Sequence, residues 1–320
     1  MKKISILVLL SIVLNTSYAQ KQPGYTSTER LTTPKIFAEG FVSAGYYESH
    51  PSFTLSGDTV YFVKSGPDLS KWTICVSYFR GGRWSAPQVA PFSGQYWDAD
   101  PFVTKDGSEM YFISNRPLKA GEAVKDFNIW KMPRTKSGWG TPMPLPDVIN
   151  SPSNEYYPTI SDNGTLYFGS RREGGKGNAD IYRSKFINGK YQEAENLGDG
   201  INSDGSEFEP FIAPDESFLI FMAARPDHLD HADLYIAYNK NGQWGLAKKL
   251  PAPFNSEVTE FSPSITKDGK YFFFASSRNK GSNATPKPEA TEAMNKRLTS
   301  AGNGLGDIYQ IEIEALGIEK

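Results

Sequence analysis

A chain of 320 residues with 34 basic and 36 acidic side chains carries a formal net charge of −2, which gives no electrostatic basis for holding nucleic acid or an anionic membrane. Its one cysteine, Cys75, excludes an intrachain disulfide; its strand context makes it a small buried apolar residue. Phe, Tyr and Trp make up 13% of the chain, as expected where sheets pack face to face.

Residues 1–19 read as an export signal. Lys2 and Lys3 form a charged start, Ile4 to Leu14 an apolar core and Ser17-Tyr18-Ala19 a small-x-small cleavage site. The apolar run is too short to span a bilayer, and no cysteine follows it to carry a lipid. Residues 20–320 are therefore expected to be one exported domain, periplasmic or secreted, without a membrane span and monomeric.

One phrase then returns five times: an acid, two variable residues, a proline, a polar turn and an aromatic strand. The copies begin Glu48-Ser49-His50-Pro51, Asp98-Ala99-Asp100-Pro101, Glu155-Tyr156-Tyr157-Pro158, Glu207-Phe208-Glu209-Pro210 and Glu260-Phe261-Ser262-Pro263, with prolines 50, 57, 52 and 53 residues apart. A period near fifty in a β-rich chain predicts an all-β propeller, one blade per copy. Strand A runs from the acid through the proline, which the innermost strand tolerates because its free edge lines the channel. All five prolines are expected there. Turns such as Asp106-Gly107 and Asn163-Gly164 accept positive φ; Asp215-Glu216 lacks the glycine. Strand B is aromatic (Leu166-Tyr167-Phe168) and strand C opens on a polar residue (Asp180-Ile181-Tyr182). A second turn leads to strand D, opening with Trp84, Trp139, Tyr191 or Trp244.

The fifth copy has only six residues after Glu314, too few for a strand D. Thr33-Pro34-Lys35-Ile36-Phe37 resembles the other D strands, so it is expected to complete the last blade and close the ring. Five blades follow, with six as the alternative. Residues 280–304 interrupt the fifth copy as a low-complexity insertion, with a short helix predicted over Glu289 to Leu298.

The repeat, best seen in Pro158, Ser161, Gly164, Tyr167, Phe168, Ser170, Arg172, Asp180, Ile181 and Tyr182, resembles the TolB-type, WD-like propeller repeat of bacterial envelope proteins. The resemblance spans about 280 residues. It implies a propeller but not an activity, since such repeats serve binding scaffolds, assembly factors and enzyme-associated domains alike.

Hairpin alternation sends the start of A, the end of B and the start of C to one face of the disc, which also carries the insertions. Within a blade an acid, a strand-B arginine and a strand-C aspartate can bridge three strands. The predicted structural triads are Glu155–Arg172–Asp180, Glu207–Arg225–Asp233 and Glu260–Arg278–Asp307, with Asp98–Arg116–Asn128 as a variant. Blade one has Gly66 where the arginine falls, so Glu48 is expected to lack a partner. Glu48, His50, Asp98, Asp100, Glu207 and Glu209 are expected to gather near the channel mouth, with Trp97 as a nearby stacking surface. These form the candidate ligand site.

Such a set suits a solvated face, a cation such as calcium held by oxygen ligands, or a pair of carboxylates for glycosidic cleavage with Glu48, Asp98 and Glu207 as catalytic candidates. No cofactor is otherwise expected. Asp227-His228-Leu229-Asp230-His231 reads as a polar loop. The leading reading is an exported scaffold that binds an envelope protein or glycan without catalysis; the alternative is a polysaccharide-active hydrolase or lyase.

Overall fold

The computed structural model describes residues 22–119, 121–226, 228–280 and 288–318. The expected export signal and Asp227 lie outside them, as does part of the insertion. Five small antiparallel sheets form a five-bladed β-propeller, and no sixth sheet of this kind occurs among the described residues.

The innermost strands, Tyr47–Phe53, Asp98–Val103, Glu155–Ile160, Ser206–Ile212 and Glu260–Ile265, carry the repeated acids and prolines. Strands B are Thr59–Ser65, Glu109–Ser114, Leu166–Ser170, Phe218–Arg225 and Tyr271–Ser276. Strands C are Thr73–Arg80, Asn128–Thr135, Asp180–Ser184, His228–Lys240 and Asp307–Glu312. His228 to His231 therefore extend a strand through the register Arg225↔His228, where the sequence suggested a loop.

The N-terminal segment closes the ring as expected. Lys35–Ile36 pairs antiparallel with the last strand C, with Lys35 opposite Gln310 and Ile36 opposite Tyr309. The outer strands differ from expectation in being broken. Arg83–Trp84 pairs with the end of its strand C and Gln88–Val89 with the middle; Gly138–Trp139 and Met143–Pro144 do the same in blade two. Pro87 and Pro142 sit in these breaks, where a missing N–H interrupts the ladder.

The core lies between blades rather than within them. Val63, Ile113, Leu166 and Phe168, from blades one, two and three, share one cluster, and Ile220, Leu234, Phe272 and Phe274 another between blades four and five. A single blade would leave one of these faces wet, so the ring folds as a unit. The glycine-free turn holds Glu216 at φ +59°. Its carboxylate accepts hydrogen bonds from Asn163 at 2.7 Å and Tyr167 at 2.8 Å, which offsets the left-handed strain. In the insertion a helix spans Thr291–Leu298 with no buried residue.

Every strand A breaks register between the residue two before its proline and the residue after it. At this bulge the residue immediately before the proline is left-handed: His50 (φ 56°), Asp100 (54°), Tyr157 (47°), Glu209 (53°) and Ser262 (54°). None is glycine, and a residue before proline ordinarily stays extended, so the same local strain is repeated around the axis.

Candidate functional site

The repeated acids serve the blades. Glu48, Asp98, Glu155, Glu207 and Glu260 are all wholly buried. Asp98 pairs with Arg116 at 2.7 Å, and Glu155, Glu207 and Glu260 each meet Arg172, Arg225 or Arg278 at 3.3 Å. Each arginine also donates to a backbone carbonyl of the D-to-A link, on Phe92, Ile149, Ile201 or Phe254. Its guanidinium lies over a strand-B and a strand-C aromatic ring of its blade, such as Phe168 and Tyr182 for Arg172. Burial raises the carboxyls of Glu48 and Glu207, and pushes Glu155 up to about 7.

The strand-C aspartates complete no arginine bridge. Asp180 accepts instead from Lys176 N at 2.5 Å and Asn196 Nδ2 at 2.7 Å, Asp307 from Gly302 N at 2.7 Å, while Asp233 faces Lys249 Nζ at 2.6 Å. Asn128 donates to Asp126. Backbone N–H groups from the B-to-C links reach Asp180 and Asp307 before the arginine does. Glu48 is not unpartnered either: Lys64 Nζ stands 3.2 Å away, directly cross-strand from it. Replacing Arg225 with Ala leaves Glu207 buried without its cation and is expected to cost on the order of 3 kcal/mol; denaturant titration showing unchanged stability would refute this structural role.

The candidate ligand geometry lies on the axis. A cavity of about 250 Å³ opens at the end of the ring where strands A begin. Its wall takes the residue two before each proline: Ser49, Ala99, Tyr156, Phe208 and Phe261. Blades one and two supply small side chains here and the other three supply aromatic ones, so the cavity is lopsided. Tyr47 stacks on Phe261 with ring centroids 5.4 Å apart. Trp72, from the B-to-C link of blade one, joins the wall and meets Trp97 and Phe127 at 6.0 and 5.2 Å. Arg171 lies at the rim, 5.9 Å from the Tyr156 ring and 5.8 Å from Phe208.

The floor is built from the left-handed positions. His50 Nε2 stands 3.0 Å from Asp100 Oδ1 and 3.2 Å from Glu209 Oε1, while His50 Nδ1 meets Ser49 Oγ at 2.6 Å. Burial alone would lower the imidazole, but Asp100 and Glu209 outweigh it and raise His50 to about 10. The ring is thus an imidazolium donating to both carboxylates. Asp100 also accepts from Tyr157 N at 2.8 Å, and Glu209 from Ser262 N. Tyr157 crosses the axis below, its hydroxyl donating to Pro263 O at 2.6 Å. Pro51, Pro101 and Pro158 line the narrow space beneath, and the Pro210 carbonyl accepts from Thr159.

Of the expected site residues, His50, Asp100 and Glu209 come together; Glu48, Asp98 and Glu207 do not line the cavity, and Trp97 stands behind Trp72. Sequence reasoning missed Tyr156, Phe208, Phe261 and Trp72. The signal for the first three was the run from small to aromatic at one repeat position. Among the described residues no group of three or more His, Cys, Asp or Glu side chains is arranged to hold a metal. As an imidazolium directed at both carboxylates, His50 itself offers no lone pair to a metal ion. His231 lies apart, 3.2 Å from Asp230 and 3.7 Å from Asp233.

Fold and site together define a five-bladed β-propeller with an aromatic-walled axial cavity. No protein-family model matches the chain, and no curated protein does. Among solved structures it is similar in fold to TolB from Acinetobacter baumannii, at 14% identity and TM-score 0.45 over 83% of this chain and 54% of that one. It therefore spans about half the length of that protein. It is also similar to a thermostable family-43 glycoside hydrolase (11% identity, TM-score 0.47, 84% of this chain and 89% of that one). An α-L-arabinofuranosidase from Podospora anserina, solved in complex with cellotriose, gives 14% identity and TM-score 0.47 over 91% of this chain and 97% of that one.

Proposed function

We propose that this chain is an exported envelope scaffold that binds a glycan in its axial cavity and performs no chemistry on it. The supporting observation is the pairing of aromatic walls with a polar floor whose carboxylates are fixed in place by His50 and backbone N–H groups. Tyr47, Trp72, Tyr156, Phe208 and Phe261 offer faces on which a sugar ring stacks, and Asp100 and Glu209 offer carboxylate oxygens to its hydroxyls. The cavity, about 250 Å³, lies just below the ~300–1,000 Å³ common for drug-sized ligands. It takes one terminal ring rather than a chain threaded through.

Glycosidic cleavage needs one carboxyl free to give a proton and another free to attack or activate water. Here each carboxylate already meets His50 and accepts from a backbone N–H, so neither stands free for either role. The hydrolase reading keeps one supporting fact: sharing one nitrogen places Asp100 and Glu209 no more than about 6 Å apart, near the ~5–5.5 Å of retaining enzymes.

A glycan array followed by calorimetry on the best ligand tests both readings. Phe208→Ala is expected to weaken binding roughly five- to a hundredfold, the equivalent of the ~1–3 kcal/mol that a base stacked on an aromatic side chain is worth, with the melting temperature little changed. Array silence would end the glycan assignment. Turnover of the bound glycan that disappears in Glu209→Gln would replace the scaffold by the hydrolase.

A further inference from the structure

The opposite mouth of the ring holds a charge that the axial cavity does not explain. The second residue of each A-to-B connection is, in repeat order, Leu55, Lys105, Asp162, Pro214 and Lys267, and all but Leu55 line the cavity at this mouth. Two lysines share one acid. Lys105 takes it, with Nζ 2.6 Å from Asp162 Oδ2. Lys267 instead reaches across from blade five to blade two, where its ammonium donates to the Val103 carbonyl and lies 4.7 Å from the Phe102 ring centroid. Among the described residues no carboxylate comes within salt-bridge distance of it.

Lys267 is half-buried. Burial lowers Lys267 to about 8, against the partial support of Asp106 and with Lys105 adding to the shift. Even half-buried, a cation without an anion is costly, and beyond the Val103 carbonyl two of its three N–H donors meet no acceptor among the described residues. Beside it opens a cavity of about 450 Å³ whose apolar wall includes Phe102, Ile160, Phe211, Phe218, Ile265 and Ile318. Three acids share its lining: Asp162 is paired with Lys105, while Asp215 accepts from Ser217 and Asp268 from Thr266, each at 2.6 Å.

We infer that this lower cavity is a second binding site, for a small carboxylate with an aliphatic tail. The carboxylate receives the unused N–H groups of Lys267 and the tail lies along the phenylalanine and isoleucine wall. Charge complementarity selects the headgroup; the apolar lining selects the tail. The site is independent of the axial cavity, since Tyr157 and the prolines stand between them.

Calorimetry with the straight-chain series butanoate to octanoate tests it. Saturable binding is expected, tightening about fourfold per methylene until the wall is covered, with the matching alcohols and inorganic phosphate at least tenfold weaker. Lys267→Met is expected to abolish carboxylate binding and to raise the melting temperature of the unliganded protein, because an uncompensated charge is gone. Lys267→Gln, which keeps a donor to Val103, serves if the methionine variant does not fold and is expected to lose binding likewise. Absence of saturable binding, equal binding of alcohols or phosphate, or unchanged octanoate affinity in either variant overturns the site.

Discussion

Removing residues 22–40 leaves a chain that does not fold. Lys35–Ile36 supplies the outer strand of the last blade, and without it the edge of Asp307–Glu312 is open to other chains. The loss extends well beyond one two-residue strand. Tyr25, Leu31 and Phe37 are each at most 4% exposed and belong to the cluster joining blade five to blade one. Phe37 meets Phe53, Trp84 and Phe273 edge-on at 5.6, 5.5 and 5.1 Å. Gln310 donates to Tyr25 O and Leu31 N to Glu312, so buried polar groups lose partners as well. Three large side chains at about 1.5–3 kcal/mol each, with the opened ladder added, approach the ~5–15 kcal/mol that holds a typical domain together. Far- and near-ultraviolet circular dichroism of the truncated chain should show no cooperative melt. A truncated protein that melts like the full chain would mean that the ring is not closed by this segment.

The repeat made the ring, the blade count and the closing strand legible, because each rests on spacing and on one-sided apolar strands. The site was legible only in part, and the reason is the bulge in strand A. Alternation along a strand puts Glu48 and His50 on one face. The left-handed turn at His50 breaks that count, so Glu48 goes into the blade beside Lys64 while His50 goes to the axis. The same break brings Tyr156, Phe208 and Phe261 to the cavity wall, where period-two counting places them elsewhere. Lys64 was overlooked for a related reason. It occupies the position of Ser114, Ser170, Ala223 and Ser276 in the other blades, opposite the acid, two residues ahead of the place where arginine occurs. Function at a repeated position is visible in a sequence when the residue type departs from its peers; it is hidden when the backbone changes which positions are peers.

Replacing His50 with Leu should be the most damaging single substitution on the axis. The side chain is 11% exposed and its imidazolium stands between Asp100, 6% exposed, and Glu209, 15% exposed. Leucine fills the space yet leaves two carboxylates facing each other without a cation, which on the scale of broken buried ion pairs costs on the order of 3–5 kcal/mol. The dependence on pH separates this from a packing defect. The folded protein holds His50 at about 10, above the ordinary 6.5, so it binds a proton more tightly than the unfolded chain does. The stabilisation is therefore complete below about 6.5 and is lost as pH rises through about 10. Lys267 works in the opposite sense, since its folded value is lowered to about 8 and stability rises above that pH as the unfolded lysine holds its proton. Comparing wild type with His50→Leu at each pH removes the lysine from the difference. The stability gap measured by denaturant titration should be full at pH 6 and narrow steadily between pH 7 and 10. A gap that stays constant over that range would show that His50 holds the axis by shape and not by charge.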